Sequence, residues 1–363
     1  MSGRAPTTVL FTGYAPVHYL CFQPLHRLLA QRPDFQVFCS GGLRTRTDST
    51  VLYDASGLYT PFALPDTQVL TVEEIRERDF DLVFAANTKL IAPRRAGVKI
   101  QLFHGISFRN VALREEIGGW DYYFLVGPYM RRKMDEAGLL DTDDPRGLSI
   151  GFPKTDPLRN GTLDRQSIRQ RHGFDGRRPV LLYAPTGQKD NSLETMGEEV
   201  IQRLTATNRY DILIKPHDHP KRVMDWSARL APLETTHTRV TREADIIPLL
   251  CAADLLISDA SSVTNEFALL DRPIVFLDVP KLLAKAAEKN TNLDLQTWGR
   301  RGGVIVKRAD AVVESVETIL GTPQTHGEIR RAMSKDLFYN PGTSGPAALQ
   351  WLAQKFGSAS PSP

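Results

Sequence analysis

The chain has 363 residues, of which 41% are hydrophobic and 24% charged, so a packed core is expected and extensive disorder is excluded. Its length suits two domains better than one, at about 150 residues per domain. A formal net charge of only +3 lacks the basic excess typical of nucleic-acid binding, so no nucleic-acid partner is expected.

The cysteines and the apolar segments indicate the compartment. Cys21, Cys39 and Cys251 show no CxxC spacing and are typical of buried thiols in a reducing compartment. The N-terminus lacks the apolar core of a secretory signal, and no run approaches the ~20 apolar residues of a membrane span. We therefore expect a cytoplasmic protein, and the sequence allows contact with the inner face of the membrane.

Short apolar runs alternate with longer amphipathic stretches along the whole chain. Most of these runs are unbroken, as expected for strands covered on both faces of a parallel sheet. The predicted strands are Thr8–Thr12, Gln36–Ser40, Leu82–Ala85, Ile100–Phe103, Tyr122–Val126, Val180–Ala184, Asp211–Ile214, Leu255–Ser258, Ile274–Leu277 and Val304–Val306. The predicted helices include Pro24–Gln31, Tyr129–Ala137, Glu194–Thr205 and Ala309–Ile319. The alternation predicts an α/β fold with doubly wound parallel sheets.

The alternation is interrupted once, over Gly151–Phe174. This stretch is rich in Pro, Gly and charge, and the pattern restarts with a strand at Pro179. We predict two Rossmann-like domains, over residues 1–155 and 156–340, followed by a C-terminal helix and a disordered tail over 341–363. Two such domains would face a cleft, with the carboxyl ends of both sheets toward one ligand site.

A histidine and a glycine follow the predicted strand Ile100–Phe103. Gly105 permits a tight turn and places His104 at the carboxyl end of the strand. His104 could act there as a general base toward a hydroxyl, although a lone histidine at a strand end is more often structural. Arg109, five residues later, could bind a phosphate or carboxylate of the same substrate.

Two other loops occupy positions typical of ligand-facing turns after a strand. One is GYAPVH, Gly13–His18, and the other is LLYAPTGQKD, Leu181–Asp190, which contains Thr186. The sequence contains no GxGxxG, GxxxxGK[ST] or GxSxG pattern. Their absence weakens the dehydrogenase, P-loop kinase and esterase interpretations.

The segment Ile212–Pro220 carries a lysine and two histidines at alternating positions. Its two prolines favour an extended backbone, so Lys215, His217 and His219 would project to the same side. An ammonium group and imidazoles at a strand end suit a diphosphate. A metal site is the weaker alternative, because no Cys or third His lies nearby in the sequence.

The segment Leu255–Leu277 predicts a strand, a polar turn and a helix. Free N–H groups at the start of a helix favour an anion, and Ser261 and Ser262 would add hydroxyl donors. The alternative is that Asp259 or Ser261 only caps the helix, which is the commoner role of such residues. Glu266, one turn into the helix, could bind ribose hydroxyls or lie on a solvated face.

Taken in order, these segments resemble the CDP-glycerol glycerophosphotransferase family, of the teichoic-acid primase and polymerase type. The resemblance covers roughly residues 95 to 350, and its most specific part is SDASS followed by ALLDRP. The matching segments are FHG (Phe103–Gly105), GFPKTD (Gly151–Asp156), YAPT (Tyr183–Thr186), KPH (Lys215–His217), SDASS (Ser258–Ser262), ALLDRP (Ala268–Pro273) and FYNPGTSG (Phe338–Gly345).

The resemblance implies a GT-B architecture with an N-terminal acceptor side and a C-terminal nucleotide-donor side. It implies catalytic roles for His104 as general base and for His217 in stabilising the donor diphosphate. The donor-binding residues would be Lys215, Ser261, Ser262, Asp259, Glu266 and Thr186, and the acceptor-binding residues Arg109 and Gly105. We expect no metal and no cofactor.

The activity that the resemblance implies is transfer of glycerol phosphate, or a related polyol phosphate, from a CDP-activated donor to an acceptor hydroxyl. The acceptor would be lipid-linked or an oligosaccharide, and the product a cell-surface polymer. This chain has Lys215 where the family usually has Arg, Ala260 in place of an aromatic residue, Arg109 in place of Lys, and an additional His219.

Because these departures border the expected donor pocket and acceptor path, other activities stay open. One alternative is a GT-B glycosyltransferase that uses a nucleotide sugar for surface polysaccharide. Others are a nucleotide-sugar 2-epimerase-like enzyme and a non-catalytic nucleotide-binding module. All would share the fold, so only the site can separate them.

Overall fold

The computed structural model describes residues 5–47, 50–87, 90–105, 119–217, 224–288 and 297–357. Within these ranges the chain divides into two compact units. The first unit comprises 5–105, 119–156 and 337–357, and the second comprises the described residues of 157–336. The C-terminal segment therefore belongs to the same unit as the N-terminal strands.

The first unit is built on a parallel sheet. Its strands are β1 (Thr7–Gly13), β2 (Phe35–Gly41), β3 (Leu43–Thr47), β4 (Thr50–Asp54), β5 (Val69–Leu70), β6 (Asp79–Ala85), β7 (Arg95–Leu102), β8 (Tyr122–Phe124) and β9 (Gly147–Leu148). Seven of them form the sheet in the order β5-β2-β1-β6-β7-β8-β9, and β3 and β4 form an antiparallel hairpin. The interior strand β1 is buried on both faces over Val9–Gly13, which explains its unbroken apolar sequence.

Among the described residues, four α-helices accompany this sheet before the chain enters the second unit. They are α1 (Pro16–Ala30), α2 (Ala55–Tyr59), α3 (Val72–Arg76) and α4 (Pro128–Glu136). The predicted start of the first helix at Pro24 is wrong, because α1 begins with Pro16 in its first turn and continues through Pro24. Proline is favoured in a first turn, and burial of residues such as Phe22 and Leu25 stabilises the helix around the second proline.

The second unit contains a six-stranded sheet in which every neighbouring pair is parallel. Its strands are β10 (Val180–Tyr183), β11 (Asp211–Ile214), β12 (Thr238–Val240), β13 (Leu255–Ser258), β14 (Ile274–Leu277) and β15 (Val304–Val306). The order in the sheet is β12-β11-β10-β13-β14-β15. Each residue of β10, β11, β13 and β14 is buried, so these strands form the centre of the unit.

The described residues of this unit include eight α-helices. They are α5 (Arg165–Arg171), α6 (Glu198–Ala206), α7 (Trp226–Leu230), α8 (Ile247–Ala252), α9 (Val263–Ala268), α10 (Pro280–Glu288), α11 (Val312–Gly321) and α12 (Gly327–Leu337). Helices α6 and α11 pack their apolar residues, including Ile201, Leu204, Val316 and Ile319, into one core cluster with the strands. Burial of this apolar surface is the main force that fixes the strand ends on which the loops depend.

The last helix, α13 (Ser344–Phe356), returns to the first unit and lies against α1. The carboxylate of Asp156 accepts hydrogen bonds from the backbone N–H groups of Ser344, at 3.0 Å, and Gly345, at 2.7 Å. These N–H groups belong to the first turn of α13, where no helix carbonyl can pair with them. The segment predicted as a separate C-terminal piece thus contributes its helix to the N-terminal unit.

The α/β fold with parallel sheets, predicted from the alternation of strands and helices, is confirmed. Four predicted strands have the bounds of β11, β13, β14 and β15. Across the described ranges, none of the helices combines the length and the apolar character needed to cross a membrane.

Candidate active site

His104 lies two residues beyond β7, at the carboxyl edge of the first sheet. Its Nδ1 is 2.6 Å from the carbonyl oxygen of Ala86, which directly follows the neighbouring strand β6. A carbonyl oxygen only accepts hydrogen bonds, so Nδ1 carries the proton. In the neutral imidazole Nε2 is then the unprotonated nitrogen, which is the atom that a general base requires.

The surroundings of His104 favour its neutral form. Desolvation lowers its pKa from the ordinary value of 6.5, the hydrogen bond with Ala86 raises it, and the ammonium group of Lys154 lowers it again. The net pKa lies below the ordinary value, so the imidazole is unprotonated at pH 7. The residue nevertheless keeps solvent-exposed surface, which leaves it accessible to a substrate.

Lys154 is a functional candidate that the sequence analysis missed. It lies in the short 3-10 helix Pro153–Leu158 and is 7% exposed, with its Nζ 5.8 Å from the ring centroid of Phe152. Lys154 is part of the motif GFPKTD, which supported the family resemblance but was given no role at the site. A lysine in a Gly- and Pro-containing turn gives no indication of which distant residue it will approach.

A second histidine, His18, lies beside His104 and was also missed. The ring centroids are 5.3 Å apart, and His18 is 4% exposed. Its Nδ1 accepts a hydrogen bond from the N–H of Tyr14, at 3.2 Å, and lies 3.4 Å from Nδ2 of Asn87. Burial, and then His104, lower the pKa of His18 to about 3, so its Nε2 carries the single proton.

Two predicted residues lie outside the described part of the chain, and one lies at its edge. Gly105 directly follows His104 with φ 158°, which is nearly extended backbone. Arg109 and His219 fall outside the described residues, so their proposed roles stay predictions. The same holds for the metal alternative, because it depends on His219.

In the second unit, three predicted loops meet at one edge of the sheet. Thr186 follows β10, Lys215 and His217 follow β11, and the serine-containing turn follows β13. The strands lie side by side in the order β11-β10-β13 and are parallel, so their carboxyl ends lie at the same edge. The sequence had predicted this meeting of the three loops from strand ends alone.

His217 approaches the loop after β10 closely. A side-chain carbon at Gly187 would lie 2.6 Å from Nδ1 of His217, so only glycine permits this contact. The two residues line one small cavity together with Thr186 and Trp226. His217 itself is exposed, whereas Lys215 is buried and its Nζ donates to the carbonyl oxygen of Pro216 at 3.0 Å.

Asp259 has a different role from the direct donor contact that was predicted. Its carboxylate is fully buried and accepts hydrogen bonds from the N–H of Thr186, at 2.8 Å, and from the N–H and Oγ of Ser192, at 2.9 and 2.8 Å. Desolvation raises the pKa of Asp259, and these hydrogen bonds oppose that rise. The side chain therefore fastens the loop after β10 to the end of β13 and fixes the position of Thr186.

The helix after β13 is not capped in the way that the alternative interpretation required. Its N-cap residue is Ser262, with no side-chain capping hydrogen bond, and Asp259 bonds to the other loop. Ser261 Oγ lies only at the 3.5 Å limit from the N–H of Val263. Since α9 is six residues long, the hydroxyl groups and local N–H groups matter more here than a helix dipole.

Glu266 does not lie on a solvated helix face, so that part of the prediction is wrong. The residue is 5% exposed, and all six residues of α9 are buried. Its carboxylate belongs to the interior of the second unit. A ribose contact stays a prediction, which requires the ligand to reach the buried side of α9.

Comparisons with known proteins point to the same family as the sequence motifs. The family model described as CDP-Glycerol:Poly(glycerophosphate) glycerophosphotransferase matches residues 78–344. The teichoic acid glycerol-phosphate primase of Bacillus spizizenii is 32% identical over 36% of this chain and 33% of its own length. The teichoic acid glycerol-phosphate transferase of Staphylococcus aureus is 24% identical over 60% of this chain and 56% of its own.

The chain spans from about a third to just over half of the length of these two curated relatives. Among solved structures, the wall teichoic acid polymerase TagF has a TM-score of 0.71 at 16% identity, over 97% of this chain and 90% of that chain. A UDP-N-acetylglucosamine 2-epimerase from Listeria monocytogenes has a TM-score of 0.62 at 12% identity, over 98% of each chain.

At such identities the structural likenesses show the fold alone, and they confirm the GT-B type of architecture. Family membership rests on the sequence model, which matches well over half of the chain and includes all of the motifs from FHG to SDASS. The resemblance stated from those motifs is confirmed: the chain belongs to the CDP-glycerol:poly(glycerophosphate) glycerophosphotransferase family.

Proposed function

We propose that the protein transfers glycerol phosphate from CDP-glycerol to an acceptor hydroxyl during the synthesis of a cell-surface polymer. The observation that carries the proposal is the proton arrangement of His104, whose Nδ1 donates to Ala86 and leaves Nε2 unprotonated. Family membership supplies the reaction type. A solved structure of TagF soaked with CDPG supports the choice of donor.

The acceptor half of the reaction uses His104 as a general base. Nε2 takes the proton of the acceptor hydroxyl while its oxygen forms a bond to the β-phosphorus of the donor. The bond from that phosphorus to the bridging oxygen breaks, and CMP leaves with the electron pair. The imidazolium then releases its proton to solvent, which its lowered pKa favours.

The donor half of the reaction belongs to the strand-end loops of the second unit. His217 is exposed and suited to donate a hydrogen bond to the leaving phosphate oxygen. Lys215 contributes positive charge from a buried position, and the hydroxyls of Thr186, Ser261 and Ser262 are donors for the diphosphate oxygens. Asp259 and Ser192 hold the loop that carries Thr186.

Nucleotide release separates this function from its rivals. The protein is incubated with CDP-glycerol, UDP-sugars, GDP-sugars or CMP-sugars, and the released nucleotide is identified. CMP release from CDP-glycerol that depends on an acceptor supports the proposal. Release of UDP or GDP alone would establish a glycosyltransferase, interconversion of the sugar without transfer an epimerase, and binding without turnover a non-catalytic module.

We place the reaction in the cytoplasm, at the inner face of the membrane, with a lipid-linked or oligosaccharide acceptor. The three cysteines form no disulfide and are buried, as expected in a reducing compartment. Membrane contact would be peripheral. Co-sedimentation with vesicles that contain anionic lipid tests it, and equal recovery in the supernatant with and without vesicles would contradict it.

A further inference from the structure

The first unit contains a cavity of about 210 Å³ next to the histidine pair. One water molecule needs only ~10–15 Å³ of such space, so the cavity can hold a small organic group. Its walls come from the segment after β1, the β3–β4 hairpin, α3 and the segment after β6, all in the first unit. The polar residues that line it are Tyr14, Arg44, Tyr53 and Arg76.

Both arginines of this cavity are exposed and have no acidic partner among the described residues. Neither Arg44 nor Arg76 forms an ion pair or a side-chain hydrogen bond with any residue that the structure describes, and the described residues that line the cavity include no Asp or Glu. Nearby arginines behave differently: Arg78 pairs with Glu74 on the same helix, and Arg94 pairs with Asp79. Two guanidinium groups held at one cavity without a carboxylate form a site for an anion.

The aromatic residues complete the wall of this site and give it more donors. Arg44 and Tyr53 are directly opposite each other in the β3–β4 hairpin, and the guanidinium carbon of Arg44 is 5.8 Å from the ring centroid of Tyr14. Burial raises the pKa of Tyr14, Arg44 lowers it and Tyr53 raises it, and the net rise keeps the Tyr14 hydroxyl a protonated donor. The apolar side chains of Val72 and Ile91 close the remaining wall.

Tyr14 connects the cavity with the candidate base. Its ring packs edge-on against His18 at a centroid distance of 4.5 Å, and His18 lies 5.3 Å from His104. An anion bound by Arg44 and Arg76 would thus be separated from the unprotonated Nε2 of His104 by the rings of Tyr14 and His18. The cavity and the candidate base His104, which would take the proton of an acceptor hydroxyl, both belong to the first unit. The loops assigned to the donor diphosphate belong to the second unit.

We propose that the cavity formed by Tyr14, Arg44, Tyr53 and Arg76 binds a phosphoryl group of the acceptor. This site deepens the proposed function, on which it rests, and it selects acceptors that carry a phosphate close to the reacting hydroxyl over neutral ones. Several donors in fixed positions suit the oxygens of a tetrahedral phosphate, and the apolar wall suits the carbons next to it. The cavity is thereby a specificity site and takes no part in proton transfer.

The first test compares three acceptors that differ in the group at one end: glycerol 3-phosphate has a phosphate, glycerate a carboxylate and glycerol a hydroxyl. CMP release from CDP-glycerol is measured with the wild type, with Arg44→Gln/Arg76→Gln and with the control Arg27→Gln. Arg27 is an exposed arginine of α1 in the same unit and does not line the cavity. We expect the wild type and the control to prefer glycerol 3-phosphate, and the double variant to lose about tenfold or more in kcat/KM for it.

The same variant should lower kcat/KM for glycerol far less than kcat/KM for glycerol 3-phosphate, because glycerol carries no phosphate for the cavity to bind. Equal use of glycerol 3-phosphate and glycerol by the wild type would overturn the proposal, as would a double variant that behaves like Arg27→Gln. A preference for glycerate over glycerol 3-phosphate would overturn the phosphoryl assignment.

The second test measures binding without turnover. Titration calorimetry with glycerol 3-phosphate needs no donor, so it remains informative even if CDP-glycerol proves not to be the substrate. Binding to the wild type that is lost in Arg44→Gln/Arg76→Gln, and weakened in Tyr53→Phe, supports the site. Absence of binding to the wild type, or equal binding to the double variant, contradicts it whatever the outcome for the donor.

Discussion

The two nitrogens of His104 are distinguished by one hydrogen bond, and the proposed chemistry depends on that distinction. Replacing His104 with Ala removes the base, and we expect turnover with CDP-glycerol to fall by about 10²–10⁴-fold. The affinity for the donor should change little, since the donor loops lie in the other unit. Steady-state kinetics and nucleotide titration measure the two quantities separately.

His326→Asn is the matched control, because His326 lies between α11 and α12 and has φ 61°, a conformation that Asn adopts readily. This variant should retain wild-type turnover. If His104→Ala also retained it, the role of general base would have to pass to another residue.

The pH dependence tests the environment of His104. Since desolvation and Lys154 lower its pKa, the acid limb of kcat/KM should have its midpoint below 6.5. Lys154→Met removes a nearby positive charge, which makes protonation of the imidazole easier and moves the midpoint upward. Lys133→Met, which removes an ammonium that pairs with Glu136 on α4, should leave the limb unchanged. A limb that stays in place or moves downward in Lys154→Met would contradict the assignment.

Sequence reasoning located those residues whose position follows from the end of a strand. His104, Thr186 and His217 were found in this way, because a buried apolar run fixes where the next polar residue appears. His18 and Lys154 were missed because their proximity to His104 depends on packing between segments far apart in the chain. The opposite error concerns Asp259, whose polar turn suggested a ligand although its carboxylate bonds to a neighbouring loop.

Among the elements, the loop after β10 depends most on a single side chain. Asp259→Asn replaces one acceptor oxygen by an amide donor, which would face either the N–H of Thr186 or the N–H of Ser192. A buried donor left without an acceptor reduces stability by about 1–3 kcal/mol, so the free energy of unfolding should fall by about that amount. Urea denaturation measures it, and CMP binding should weaken because Thr186 loses its fixed position.

The exposed ion pair of Asp310 with Arg308 offers the control for this substitution. Asp310→Asn removes this ion pair, and surface ion pairs contribute only about 0–1 kcal/mol to the free energy of unfolding. Equal effects of the two substitutions on unfolding would show that Asp259 does not fasten the loop.

At the level of elements, the unbroken apolar strands were predicted well and the short or polar ones were not. The run Leu255–Ser258 is bounded correctly because every residue of it is buried. The hairpin β3–β4 was missed, since β3 is polar, β4 is short and largely exposed, and the two strands pair with each other outside the main sheet. Because Arg44 and Tyr53 lie on that hairpin and line the cavity, the cavity was not predicted from the sequence either.

The first unit contains both the N-terminal strands and the C-terminal helix, because the chain leaves it after residue 156 and re-enters it at residue 337. The predicted boundary between 155 and 156 lies one residue from the end of the described N-terminal part at 156. The sequence could not show where the last helix packs, because its apolar residues suit either unit. The contact that decides this joins Asp156, in the motif GFPKTD, to the start of α13 in the closing segment.

This return contact can be tested without disturbing the donor loops. Asp156→Ala leaves the N–H groups of Ser344 and Gly345 without their acceptor, and loss of such a cap reduces stability by about 0.5–2 kcal/mol. We expect faster hydrogen exchange over α13 and a lower unfolding temperature of the first unit, while CMP binding by the second unit stays unchanged. Asp135→Ala, an exposed residue at the end of α4 whose carboxylate accepts from Thr142, is the control. Unchanged exchange over α13 in Asp156→Ala would mean that packing against α1, and not this carboxylate, holds the helix in place.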